Sequence, residues 1–208
     1  MTPVAIQGEV GSYSHEAAVE WFGVGIEVLA CPSFPGVFEA LALGRCDRAV
    51  VPVENSIVGR IGQTAALLDR VRVRRVGEIR LRVDHCLVVA SEDGGSRPEV
   101  EEGRICRIAS HPIALAHCGR FLRARPGWQT IETADTAGAV RALATGQLRA
   151  DAVVASRAAA ERYGCRVVRA AIPDEAVNVT TFLELEAPAP VDVATSRGYE
   201  PAGSTGRG

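Results

Sequence analysis

The segment Arg48-Ala49-Val50-Val51-Pro52-Val53 carries an apolar side chain at every position after the first. A strand that alternates apolar and polar residues has one wet face, whereas this run is apolar on both, so both faces must be covered. Helices packed on the two sides of a parallel sheet provide that cover, and the segment therefore predicts a layered α/β fold. Further strands are predicted at residues 4–6, 26–30, 105–109, 130–132, 152–155, 167–171 and 178–185. Residues 71–76 alternate over their first part and predict a strand with one arginine-coated face; residues 79–90 predict a longer strand. Helical stretches fall between them at 15–23, 35–44, 61–69, 113 to about 123, 137–144 and 156–163, the first with Ser14 as its N-cap and Gly23 as its stop. Strands and helices thus alternate throughout, which predicts mostly parallel sheets. Residues 91–103 are rich in Gly, Pro and Glu and predict a surface loop, and from about 187 the composition predicts a disordered tail, 188–208.

In such sheets ligands sit beyond the carboxyl ends of the strands. Four polar clusters fall at predicted strand ends: Gly11, Ser12 and Ser14; Glu54, Asn55 and Ser56; Ser110 and His111; Asp135 and Thr136. The first lacks both G-x-G-x-x-G spacing and a P-loop lysine. It offers backbone N–H groups and hydroxyls at a helix start, which suit a carboxylate, although a plain helix-entry turn needs no function. Asn55 and Ser56 can hydrogen-bond a carboxylate or hydroxyl, and Glu54 is either a third such group or a buried structural partner. Ser110 and His111 precede Pro112, where a helix begins with free N–H groups; His111 is either a structural residue or a proton carrier. No Ser/His/Asp order has the spacing of a triad.

Composition excludes several chemistries. All 23 basic residues are arginine, and the absence of lysine removes pyridoxal-phosphate enzymes, Schiff-base aldolases and P-loop NTPases. The formal net charge of −2 gives no global pull towards nucleic acid or an anionic membrane. No apolar run reaches the roughly 18 residues of a membrane span and no signal core opens the chain, so the expected location is the cytoplasm. The six cysteines stand singly, without C-x-x-C pairs or zinc spacing. They predict structural or free thiols, with neither metal nor disulfide.

Several segments resemble one family, in order. GEVGSYSHEAA resembles the glycine-rich first motif of prephenate dehydratase catalytic domains. VVPVENSIVG is similar to their P-x-E-N-S-x-x-G segment and SHPIALAHC to their S-H-P-x-A-L-x-Q-C segment, and DTAGAV, ASRAAAERYG and IPDEAVNVTTF follow. The resemblance spans about residues 4–186. It implies a bilobal α/β fold like that of periplasmic binding proteins, with a cleft between two mostly parallel sheets. Lobe one would hold 1–78 and 172–187, and lobe two 79–171. It also implies prephenate, a dicarboxylate with a 4-hydroxycyclohexadiene ring, as substrate, no cofactor, and a homodimer or larger homo-oligomer. Carried over position by position, Gly11, Ser12, Ser14, Glu54, Asn55, Ser56, Thr136, Asn178, Thr181 and Phe182 would bind substrate. Thr180, His111 and Ser110 would be catalytic.

The sequence departs from the family in two places. The terminal motif N-x-T-R-F reads Asn178-Val179-Thr180-Thr181-Phe182, so a threonine replaces the arginine and its bidentate grip on a carboxylate. Only a short tail follows, where the biosynthetic dehydratases carry a phenylalanine-sensing domain. Both departures resemble the small prephenate decarboxylases of antibiotic pathways, which lose carbon dioxide but keep the 4-hydroxyl. This implies a non-aromatising decarboxylase of secondary metabolism. The alternatives are a dehydratase yielding phenylpyruvate in aromatic amino acid biosynthesis, and a non-catalytic dicarboxylate-binding protein.

Overall fold

The computed structural model describes residues 2–91 and 104–187. The surface loop expected through residue 103 and the tail expected at 188–208 therefore lie almost wholly outside the described residues. The first apolar runs form β1 (Val4–Gln7), β2 (Val28–Cys31) and β3 (Arg48–Asn55), joined by α1 (Tyr13–Phe22) and α2 (Phe34–Ala42). The short β4 (Gly59–Arg60), α3 (Gly62–Arg70) and β5 (Arg74–Arg82) follow. The next part comprises β6 (Cys86–Val89), β7 (Arg107–Ser110), α4 (Pro112–His117), α5 (Gly119–Arg123), β8 (Gln129–Glu132) and α6 (Thr136–Ala144). Then come β9 (Ala152–Ala155), α7 (Arg157–Arg162), β10 (Arg166–Arg169) and β11 (Val179–Glu186).

Two sheets result. One has the order β2-β1-β3-β11-β5, with β4 paired to β3, and the other the order β10-β6-β9-β7-β8. The expected α/β layering with flanking helices is present, but both sheets are mixed. β1 pairs in parallel with β2 and β3, while β11 lies antiparallel between β3 and β5. In the second sheet β7 is parallel to β8 and β9, and β6 is antiparallel to β9 and β10. The physical reason is the path of the chain. It leaves the first sheet after Arg82, builds the second, and returns as β11, which reaches the gap beside β3 from the opposite end.

The boundaries moved where local patterns do not report the sheet change. The long strand expected at 79–90 is two strands in different sheets, separated at Val83–His85, and β5 takes up part of the expected 71–76 strand. The helix expected from 113 to about 123 breaks at Cys118, the C-cap of α4. Glu54 and Asn55, expected after β3, are its last two residues. Ser14 is not the cap of α1: Ser12 accepts from the His15 N–H, and Ser14 is buried in the first turn. Ser33, Asp135 and Ser156 cap α2, α6 and α7 in the same way.

Each sheet has an apolar core on either side. Phe38, Val37, Leu41 and Leu185 pack on one face of the first sheet, and Ile6, Ala17, Ala18 and Phe182 on the other. Glu184 of β11 is 1% exposed and tolerable only because Arg48 of β3 pairs with it. Among the described residues all six cysteines are free, and no helix is long and apolar enough to cross a membrane.

The glycine loop after β1 ties the two sheets together. Tyr163 donates to the Val10 carbonyl at 2.8 Å, Ser156 to the Gly11 carbonyl at 3.3 Å, and Arg141 pairs with Glu9 at 3.2 Å. Gly11 has φ +92°, and a Cβ there would lie 3.1 Å from the Ala159 Cα. Gly23 has φ +91° with nothing within 4 Å of such a Cβ. Both glycine-to-alanine changes therefore strain the backbone by about 1–3 kcal/mol, but only Gly11→Ala also pushes apart two backbones. Urea denaturation should show Gly11→Ala costing more than Gly23→Ala by about 1 kcal/mol or more. Equal costs would mean that the loop is not pressed against α7.

Candidate active-site cleft

A cleft of about 750 Å³ lies between the sheets, lined from both. Parallel strand-helix units point their helices' first turns to the carboxyl ends of the strands, and that is what surrounds this cavity. Residues 12–14 and 33–35 line it from the starts of α1 and α2, and 61–63 and 135–136 from the starts of α3 and α6. These helices have nine or ten residues each. Each helix start contributes partial positive charge and free N–H groups, worth about 0.3–1 kcal/mol to a nearby anion. Arg60 adds a full positive charge, and the one acidic group among the described lining residues, Asp135, accepts from Gly138 N–H at 2.6 Å as the cap of α6. Phe34, Pro52, Val58, Ile61, Ile113 and Phe182 supply apolar wall. The cavity thus suits a small anion with an apolar ring.

On the floor, β11 and β3 bring one polar network together. Thr180 pairs with Asn55 across the strands, and the register slips before Phe182, which meets Pro52. Val53 is the extra residue, and Pro52, which has no N–H to donate, lies beyond the last β3 residue paired with β1. Asn55 Oδ1 accepts from the N–H groups of Ile57 at 2.9 Å and Val58 at 3.1 Å, so its amide nitrogen faces β11. That nitrogen donates to Asn178 Oδ1 at 2.6 Å and to Thr180 Oγ1 at 2.9 Å. Asn178 Nδ2 then meets His117 Nδ1 at 3.1 Å. His117 stacks on His85 with centroids 5.8 Å apart, and His85 Nδ1 lies 3.0 Å from the Tyr13 hydroxyl.

The sequence-derived residues divide accordingly. Ser12, Ser14, Asn55, His111, Thr136, Thr180 and Phe182 line the cleft. His111 caps α4, its Nδ1 accepting from Ile113 N–H at 3.2 Å. Asn178 is buried just behind the lining and acts through Asn55 and His117. The others do not line the cavity. Gly11 is turned to α7, and the Ser110 hydroxyl, fully buried, donates to the Val154 carbonyl at 2.6 Å. The Ser56 hydroxyl accepts from Val179 N–H at 3.0 Å. Glu54 and Thr181 pair with each other across β3 and β11, and the period-2 alternation of β11 turns Thr181 from the face of Thr180 and Phe182. Sequence reasoning missed Tyr13, His85 and His117. Only the change of sheet after Arg82 brings the last two side by side.

Burial keeps these groups neutral. Burial, with His117 adding to it, lowers the His85 pKa to about 4; burial lowers that of His117 as well and holds the Tyr13 phenol well above its ordinary value. Glu16, on α1 beside Ser156, is raised to about 7 by burial, which outweighs the lowering influence of the Ser156 hydroxyl. Between pH 4.5 and 7 the unfolded chain ionises Glu16 while the fold holds it protonated, so its contribution to stability falls as pH rises through that window, by about 3 kcal/mol in all. His85 acts with the opposite sign, destabilising the fold as pH falls from 6.5 to about 4. Glu16→Gln should therefore stabilise the protein at pH 8 relative to its effect at pH 4.5, by up to about 3 kcal/mol. Urea unfolding of variant and parent at both values cancels the His85 contribution, and an equal difference at the two values would show that Glu16 is charged in the fold.

A family model described as prephenate dehydratase matches residues 4–190. The chain is 40% identical over 184 residues to arogenate dehydratase 1 of Petunia hybrida, covering 88% of the chain and 41% of that protein. Among solved structures, GqqA, described as a novel type of quorum quenching acylase, aligns with a TM-score of 0.74 and 31% identity over 89% of this chain and 64% of that one. Prephenate dehydratase from Arthrobacter aurescens in complex with L-Phe aligns with a TM-score of 0.78 over 89% and 60%; at 23% identity it shows the fold alone. The chain spans less than half the length of the curated relatives it matches.

Proposed function

The chain belongs to the prephenate dehydratase family, and from that premise we propose that it is a carbon-carbon lyase that decarboxylates prephenate and leaves the 4-hydroxyl in place. In this reading the two sheets are two lobes that hold the dicarboxylate between them, divided near the expected bounds of 1–78 with 172–187 and 79–171, except that β5 keeps residues 79–82 in the first. The starts of α1, α2, α3 and α6, with Ser12, Ser14, Thr136 and Arg60, bind the carboxylates. The C1–carboxylate bond breaks in a partly dry cleft, carbon dioxide leaves, and the electron pair enters the ring diene, where a ring carbon takes up a proton. His111 is the candidate carrier of that proton.

One observation carries the preference for retaining the hydroxyl. Thr180 Oγ1 accepts from the Asn55 amide, so its own hydrogen is free to orient the substrate hydroxyl, yet nothing behind it can replace a lost proton. An amide is no acid, and burial disfavours both the imidazolium and the phenolate that a proton relay through the network would need. A departing hydroxide needs a general acid, which typically contributes about 10²–10⁴-fold. The position of Thr181 adds nothing to this argument, because it does not line the cleft. The dehydratase reading, in which the same electron pair expels the protonated hydroxyl as water, is favoured by the names of the relatives. Acyl hydrolysis, the activity in the name of GqqA, is not proposed: the Ser110 hydroxyl is spent on a carbonyl and is no nucleophile for His111.

Proton NMR of the protein with fresh prephenate, beside an enzyme-free control and a parallel incubation with arogenate, tests the reading. Retained olefinic and carbinol protons with carbon dioxide release are expected, and aromatic signals above the control would establish the dehydratase. Thr180→Ala should lower kcat/KM about 10²-fold, while Thr180→Ser, which keeps the hydroxyl, stays within about tenfold of the parent.

A further inference from the structure

The first sheet ends on a long strand that is paired on one side only. β5 is the outermost strand of the order β2-β1-β3-β11-β5, and at nine residues it is the longest strand among the described residues. The outer strands β2, β8 and β10 have four residues each. β11 pairs with one side of β5; among the described residues no strand meets the other side, and none of the nine residues is buried. Successive residues of a strand turn their N–H and C=O groups to alternate sides, so about half of these groups remain for another strand. An edge can be blunted by shortening it or by a proline. β5 has neither, but it is charged, and the order of its charges is specific.

The register with β11 places Glu78 and Arg80 on one face of β5, and Gly77, Ile79 and Leu81 on the other. A second copy of β5 can pair with the first antiparallel about a two-fold axis. The pleat then permits only registers centred on a residue that opposes its own counterpart. Centring on Ile79 sets Glu78 of each copy opposite Arg80 of the other. Centring one residue away, on Glu78 or on Arg80, sets like charges opposite each other, which is destabilising. Both side chains are exposed, and neither is in an ion pair among the described residues. On the other face the same register sets Gly77 opposite Leu81. The Trp21 ring lies so close to Gly77 that a Cβ there would collide with it. Leu81 of the second copy thus comes to lie beside Trp21, while Ile79 meets Ile79.

We propose that β5 is the docking edge for a second copy of this chain, which pairs antiparallel through two Glu78–Arg80 contacts and continues the first sheet across a two-fold axis. Charge complementarity selects this occupant. A strand with Glu and Arg two residues apart matches its own inverted copy, whereas a wholly acidic or wholly basic strand would set one of the two charges against its like. Neither residue lines the cleft, so the proposal stands apart from the reading of the reaction.

Analytical ultracentrifugation of the whole chain over a range of concentrations tests it. The parent should form a dimer in a concentration-dependent way. Glu78→Arg and Arg80→Glu each set like charges opposite one another at both contacts, and each should weaken the dimer about tenfold or more. In an equimolar mixture of the two variants, a mixed dimer has opposite charges at both contacts. The mixture should therefore sediment as a dimer at concentrations where each variant alone is a monomer. Neither a contact elsewhere on the surface nor a change in folding produces that rescue. A parent that stays monomeric overturns the proposal, and this includes the case in which residues 188–208 of the same chain cover β5. A parent dimer that either variant leaves unchanged also overturns it, as does a mixture no more dimeric than its components.

Discussion

Asn55 joins the two ends of the chain's detour through the second sheet. Its side-chain oxygen closes the turn after β3 and its nitrogen grips both Asn178 and Thr180 as the chain returns. Each of those contacts is satisfied inside the protein, where an unmet amide would cost about 1–3 kcal/mol. The insertion of β11 between β3 and β5 then follows, with its buried Glu184 matched to Arg48. Through Asn178 the same network reaches His117, which belongs to the second sheet's half of the molecule. The cleft floor is therefore one hydrogen-bonded unit, and its geometry depends on both halves being in register.

The positive potential at the cleft arises from the layering itself. Strand-helix units leave helix starts at the carboxyl edge of a sheet, and two sheets facing each other bring three such starts, those of α1, α2 and α6, around one cavity, joined by the start of α3 after the antiparallel β4. Fixed backbone N–H groups need no reorganisation to meet a carboxylate, whereas an arginine must be held in place at a cost in side-chain entropy. This explains how a cleft with one arginine, Arg60, among its described lining residues suits an anion. The glycine loop, which looks like part of that anion cradle, divides its work: Ser12 lines the cavity and caps α1, while Gly11 lets the backbone approach α7 closely enough to lock the sheets together.

The local signals were legible because their causes are local. Gly23 ends α1, and the apolar runs of β3 and β9 mark strands covered on both faces. The capping serine of α1 was read two residues late, because Ser12 and Ser14 both stand at the helix entry and only the bond from the His15 N–H to Ser12 separates them. The segment 79–90 read as one strand because Val83-Asp84-His85 contains neither glycine nor proline, and nothing in it announces a change of sheet. The parallel expectation failed for a similar reason: a strand's direction relative to its neighbours is set by where the chain re-enters the sheet, not by its composition.

Of the site, the sequence by itself determined which kinds of group stand at strand ends, and hence that Ser12, Ser14, Asn55, His111 and Thr136 were candidates, while the resemblance to the family added Thr180 and Phe182. Only the tertiary structure decided that these meet in one cleft, and that Ser110, Ser56, Glu54, Thr181 and Gly11 do not line it. It also paired Tyr13 with His85 and stacked His85 on His117 across 72 and 32 residues of chain, respectively. The physical reason is that side-chain chemistry is a property of the residue, whereas desolvation, hydrogen-bond partners and proton positions belong to surroundings that distant segments supply.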